Sequence, residues 1–185
     1  MREYRVLAGD TPIELALLPS FTEIPPFEET APTFAENSAG KALHYSRFAT
    51  GTVLADDSGL VVPALGGAPG VFSARYAGPG ASDSDRVQKL LNEMSALSGD
   101  DRKARFVCVT TLARDGRAIA VLSDSVEGVV AKAPRGSDGF GYDPVFFFPQ
   151  LGRTYAEITR EEKNQYSHRG RAFRKAIAYF QGRVL

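Results

Sequence analysis

The 185-residue chain has a single cysteine, no tryptophan, two methionines and two histidines. With only Cys108, a disulfide framework within the chain is excluded. Its setting, Phe106-Val107-Cys108-Val109, predicts a buried, inert thiol in a reducing compartment. Charge of one sign is not in excess: Lys plus Arg is 22 and Asp plus Glu is 22. A neutral chain has no global basic field, which argues against a nucleic-acid binder, although residues 169–175 are locally basic. Apolar runs are too short for a membrane-spanning helix, and the N-terminal residues lack a secretory-signal pattern. No internal repeat and no low-complexity tract occurs. What these absences leave is a cytoplasmic globular protein, expected as one domain over residues 1–185 built of two lobes. A hydrophobic content of 43% and a charged content of 24% suit that class.

The most informative stretch present is Val53-Leu54-Ala55-Asp56-Asp57-Ser58-Gly59-Leu60. The apolar start reads as a buried strand, and the two carboxylates are expected at its C-terminal end, where loops on a rigid frame often carry catalysis. Neighbouring residues of an extended chain face opposite sides, so Asp56 and Asp57 are expected to do different jobs. A polar turn closing the strand explains the same residues equally well.

Before this stretch, residues 2–9 read as a short strand or a helix tail ending at Gly9, and residues 19–32 as a proline-punctuated loop holding Glu28 and Glu29. Thr33-Phe34-Ala35-Glu36 has the form of a capping box opening a helix to about Ala49, with Asn37 and Lys41 one turn apart on a polar face. After it, the glycines and Pro69 of residues 65–78 force a tight path that reads as architectural. Ser82 and Asp85 cap a second helix, whose stripe of Val87, Leu90, Leu91 and Met94 is core. Residues 105–113 and 118–122 read as strands joined at Asp115-Gly116, the second continuing through residues 126–131. A hairpin beside helix-linked strands predicts a mixed sheet. Gly139-Phe140-Gly141-Tyr142-Asp143-Pro144 then makes a sharp loop before the strand 145–148. Its rings and carboxylate suit a nucleobase, or equally an aromatic turn packed into the core. Thr159 and Glu162 cap a helical turn, and Ser167 is expected to cap a last helix whose first turn holds His168 and Arg169. Cations there oppose the helix dipole, a local cost that points weakly to function.

Taken together, these pieces resemble the inosine triphosphate pyrophosphatases, which remove nonstandard purine nucleotides from the nucleotide pool. The matching residues are Thr33-Phe34-Ala35-Glu36-Asn37 with Lys41, Leu54 to Leu60, Gly66-Gly67-Ala68-Pro69-Gly70 with Ser73-Ala74-Arg75-Tyr76, Gly139 to Pro144, and Lys163-Asn164 with Ser167-His168-Arg169. Each is weak alone; their shared order and spacing over residues 20–182 are specific. The resemblance implies an α/β fold with a mixed central sheet flanked by helices, two lobes with a nucleotide cleft between them, and a homodimer. It implies Mg²⁺-dependent hydrolysis of ITP, dITP or XTP to the monophosphate and pyrophosphate. In that mapping Asp57 is the metal ligand and proton acceptor, and Lys41 and Ser58 contact substrate. Phe140, Gly141, Tyr142 and Asp143 form the nucleotide loop, and Lys163, His168 and Arg169 hold the purine end.

Two departures from the family pattern stand out. The usual opening strand and Ser/Thr-x-Asn-x-x-Lys phosphate loop have no counterpart in the chain, and residues 2–9 read as the tail of the helix that follows it. The family's metal-binding glutamate falls about where Pro26 stands, with Glu28 or Glu29 as its substitute. An active pyrophosphatase and a weakened nucleotide-binding protein of the same fold are the two expectations.

Overall fold

The computed structural model describes residues 2–9, 11 and 13–182. Five strands, β1 (Val53–Val61), β2 (Lys103–Arg114), β3 (Arg117–Val130), β4 (Phe146–Phe148) and β5 (Arg153–Thr154), form one sheet in the order β1-β2-β3-β4-β5. Helices α1 (Arg2–Ala8), α2 (Phe34–Ser46), α3 (Asp83–Glu93), α4 (Arg160–Tyr166) and α5 (His168–Phe180) flank it. The expected α/β architecture is there, with the sheet antiparallel rather than mixed. Every strand lies beside its chain neighbour, as in the β3–β4 register Val129↔Phe147 and the β4–β5 register Phe148↔Arg153. Asp115 and Gly116, at φ 50° and 73°, make the two-residue turn between β2 and β3 that the sequence predicts.

The chain divides into two compact units. The first takes residues 1–58, 108–124 and 168–185. In it the two faces of the strands are covered by different helices. Residues at even positions of β1 and β2, Leu54 and Leu112, pack with Ala8, Phe173, Ala176 and Ile177 of α1 and α5. The Tyr4 and Phe173 rings meet at 4.8 Å. Odd positions Ala55 and Ala113 pack against Ala42 of α2, where small side chains let the helix lie close. Ser38 of α2 donates to the Ala55 carbonyl at 3.1 Å, and Ser46 accepts the Gly116 N–H at 3.1 Å, tying the hairpin turn to the helix end. Thr33 caps α2 as expected, accepting the Glu36 N–H at 3.1 Å, but the helix stops at Ser46 rather than near Ala49.

The second unit takes residues 59–107 and 125–167. Leu60, Leu90, Met94, Phe106, Phe146 and Tyr155 centre its core, with the Phe106 and Phe146 rings 4.6 Å apart. The expected capping boxes at Ser82 and Thr159 both form. At the C-terminal end of α3, Arg102 is buried and its guanidinium donates only to main-chain carbonyls, those of Met94 (2.8 Å), Leu97 (3.3 Å), Val130 (2.7 Å) and Ala131 (2.9 Å). It closes the helix end onto β3. Arg102→Met keeps the stem and strips the donors from those carbonyls, so it should cost about 3 kcal/mol. A thermal midpoint lowered by roughly 6–12 °C is expected, and a change near zero would refute this account of α3.

Candidate functional site

The Asp-Asp-Ser-Gly stretch is not the turn at a strand end that the sequence suggests. It lies inside β1, which runs on to Val61. The reason is visible in the alternation: Ala55, Asp57 and Gly59 are buried, while Leu54, Asp56 and Ser58 are half-buried on the other side. Parity therefore separates the two carboxylates onto the two faces already described, Asp57 with α2 and Asp56 with α5.

On the α2 face Asp57 is 8% exposed, and its Oδ2 accepts no hydrogen bond from the described residues. Burial pushes its carboxyl above the usual carboxylate range, and the nearby Glu29 charge adds to the rise. A hydrogen bond from Asn37 and the Lys41 charge oppose it. Lys41 donates to the Asp56 carbonyl at 2.8 Å and pairs with the Glu29 carboxylate. One cation is thus held beside two carboxylates by a main-chain bond that does not depend on either of them.

On the α5 face Arg169 donates from Nε to Asp56 Oδ2 at 3.2 Å and from Nη2 to Ser58 Oγ at 3.0 Å. His168, the first residue of α5, is buried. Cys108 lies close by, its Sγ 3.9 Å from Asp56 Oδ2. Burial, with the Asp56 charge beside it, pushes that thiol up to about 12, which makes it the inert group expected.

A second cluster forms in the other unit. The Phe140 ring is 53% exposed, and Lys163 Nζ sits 4.3 Å from its centroid. Beneath the ring Lys163 pairs with Asp143, both buried, and Asp143 Oδ2 also accepts the Phe140 N–H at 2.8 Å. The chain can turn this tightly because residue 139 is glycine at φ 81°; a Cβ there would strike Asp143 Oδ2. Gly141 and Tyr142 serve the loop differently from the neighbouring Phe140. The Gly141 N–H donates to Asp83 Oδ2 at 2.7 Å, and the buried Tyr142 hydroxyl donates to the Ser73 carbonyl at 3.0 Å.

The sequence-predicted residues therefore gather as Lys41 with Asp57, Arg169 with Ser58, and Phe140 with Asp143 and Lys163. Two members were less legible. Glu29 comes from the irregular loop, where nothing in the pattern selects it over Glu28. Asn37 is where the sequence places it, one helical turn from Lys41, but its burial and its bonds to the loop are not legible there.

Among the described residues no three His, Cys, Asp or Glu side chains gather as a metal cluster. Asp57 and Glu29 nonetheless fit one kind of ion. Mg²⁺ is commonly held by one or two carboxylates together with substrate phosphates and water, and a buried carboxylate oxygen without a donor is a ready ligand.

Against known proteins, the Ham1 family model matches residues 1–179. A dITP/XTP pyrophosphatase of Thermus thermophilus is 52% identical over 170 residues, covering 91% of this chain and 81% of the relative. One from Geobacillus kaustophilus is 48% identical over 175 residues, covering 95% and 86%. Among solved structures, a HAM1 protein from Coxiella burnetii superposes with a TM-score of 0.88 at 41% identity, covering 98% of this chain and 92% of that one.

Proposed function

The chain belongs to the Ham1 family, and we infer that it is a nucleoside triphosphate pyrophosphatase that hydrolyses dITP, XTP and ITP to the monophosphate and pyrophosphate. The observation that carries this reading is the buried Asp57, held with Lys41 and Glu29 in a chain about half identical to pyrophosphatases of that name. An impaired nucleotide binder of the same fold is the weaker reading, because the acidic group and its cation are complete.

In the proposed reaction water adds to phosphorus, the P–O bond between the α and β phosphates breaks, and pyrophosphate leaves. Asp57 takes the proton of the attacking water. Asp57 and Glu29 would hold Mg²⁺, which when bound neutralises charge on the phosphate oxygens. Lys41 stays beside them on the Asp56 carbonyl and meets the phosphates as a point charge. Ser58 lies on the opposite face of β1 from Asp57, with its hydroxyl held by Arg169, so in this reading it meets the nucleotide away from the metal pair. Within the other unit, Phe140 offers an exposed face suited to stacking on a base, and the loop of Gly141, Tyr142 and Asp143 holds that ring in place. Lys163 of that unit carries a donor suited to a 6-oxo purine, which an adenine amine would leave unpaired, and His168 of the first unit is a donor of the same kind. Arg169, committed to Asp56 and Ser58, would have to leave both to reach a base. Action on free nucleotides in the cytoplasm and assembly as a homodimer belong to the same proposal. No helix of the described residues is long and apolar enough to cross a membrane.

Pyrophosphate release with Mg²⁺ from dITP, XTP, ITP, ATP and GTP tests it. The first three should exceed ATP in kcat/KM by about 100-fold or more, the scale at which unpaired buried polar groups discriminate. No release from any of them overturns the enzyme; equal turnover of ATP and dITP overturns the selectivity.

A further inference from the structure

Asn37 is the residue at this site that the proposed chemistry does not use, yet it is completely buried. Its side-chain carboxamide pairs with both polar groups of one main-chain residue. Oδ1 accepts the Ala31 N–H at 2.9 Å, and Nδ2 donates to the Ala31 carbonyl at 3.2 Å. That pairing mimics a strand ladder, and it pins the irregular loop to α2 six residues before Asn37. The next residue of α2, Ser38, donates to the Ala55 carbonyl at 3.1 Å, two residues before Asp57 on β1. Two adjacent residues of α2 thus tie the loop that carries Glu29 to the strand that carries Asp57. Around this link, residues 24–32 have no regular secondary structure of their own. Other ties to the loop are the Tyr45 hydroxyl accepting the Phe27 N–H at 3.3 Å, the His44 ring 2.7 Å from the Pro25 carbonyl, and the Lys41–Glu29 ion pair. The pair with Lys41 acts on Glu29 directly, and it draws on the cation that the phosphates also need.

We propose that Asn37 is a positioning residue: by clamping Ala31 to a helix that Ser38 fastens to β1, it sets the separation of the Glu29 and Asp57 carboxylates and so the affinity of the pair for a divalent cation. The proposal deepens the pyrophosphatase reading and rests on it for the identity of the metal pair. A residue that orients ligands in this way typically changes metal affinity by about 10–100-fold when replaced. A residue that merely fills the core would lower stability and leave the metal requirement alone.

Three measurements decide it. In the wild-type protein the Ala31 amide hydrogen should exchange as slowly as those in the middle of α2; exchange as fast as at the exposed loop positions overturns the clamp without any variant having to fold. In Asn37→Ala, or the milder Asn37→Ser, the half-activating Mg²⁺ concentration should rise about tenfold or more, with the smaller part of the loss in kcat. Mn²⁺ affinity of the substrate-free protein, read by electron paramagnetic resonance, should fall by a similar factor. Adding Glu29→Gln to either variant should then weaken Mn²⁺ binding little further, because the two residues act through one ligand geometry. A folded variant with an unchanged Mn²⁺ affinity overturns the proposal, as does full additivity with Glu29→Gln. If the wild type releases no pyrophosphate from any triphosphate, the pyrophosphatase reading fails instead, and the exchange and Mn²⁺ measurements still judge Asn37.

Discussion

Asp57→Asn is expected to abolish pyrophosphate release, by at least about 1,000-fold in kcat, while making the protein more stable at neutral pH. The activity loss follows from removing both a proton acceptor and a metal ligand. The gain in stability follows from the price of holding a carboxylate among buried groups with one oxygen unpaired. Its folded pKa is raised above the unfolded value, so the protonated form is favoured by folding. Stability contributed by Asp57 is therefore greatest at low pH and falls as pH rises through the window between the unfolded and folded values. Asn cannot ionise and escapes that loss. The variant should be more stable by about 1 kcal/mol at pH 7, or roughly 2–4 °C in midpoint, with the advantage shrinking as pH is lowered through the aspartate range. Thermal unfolding at a series of pH values checks the sign. A variant less stable than wild type at pH 7 would mean that Asp57 is a paired structural carboxylate.

That conflict between stability and chemistry explains why parts of the site were hard to read from sequence. The caps at Thr33, Ser82 and Thr159 and the Asp115-Gly116 turn are local devices, fixed by residues within three positions of each other, and each forms where the sequence places it. Asp56 to Gly59 is the opposite case. Asp, Ser and Gly are poor strand formers, so local preference ends the strand at Ala55. The long-range partners override it: Leu60 accepts a place in the second core with its N–H on Ser73 Oγ at 2.9 Å, and Ser38 reaches the Ala55 carbonyl from α2. A functional stretch is where such an override is expected. Tyr142 was unreadable for another reason. Alternation cannot tell an aromatic offered to a ligand from one sunk into the core, and only the Ser73 carbonyl on its hydroxyl decides for the core. Arg102 left no mark at all, since its four carbonyl partners lie up to 29 residues away in the chain.

Lys163→Met should have the largest effect on stability, and it separates positioning from binding in the second cluster. The side chains of Lys163 and Asp143 are 9% and 3% exposed, so neither charge can turn to solvent if the other is removed. With the ammonium gone, Asp143 keeps the Phe140 N–H and loses the Lys163 charge. Breaking a buried pair from one side costs about 3–5 kcal/mol, which here means a midpoint lower by roughly 6–20 °C. Pairing the change with Asp143→Asn removes the buried carboxylate charge while preserving an acceptor for the Phe140 N–H, so the double variant should recover at least half of the lost stability. Activity should not follow. The Phe140 ring would sit where the loop holds it, but without the cation 4.3 Å from its centroid or a donor beside the base. Thermal unfolding together with kcat/KM for dITP reads both quantities on the same proteins. Recovery of stability with kcat/KM still depressed assigns Lys163 to the substrate. If activity returns in step with stability, Lys163 is only the partner of Asp143, and the base must be read by other donors.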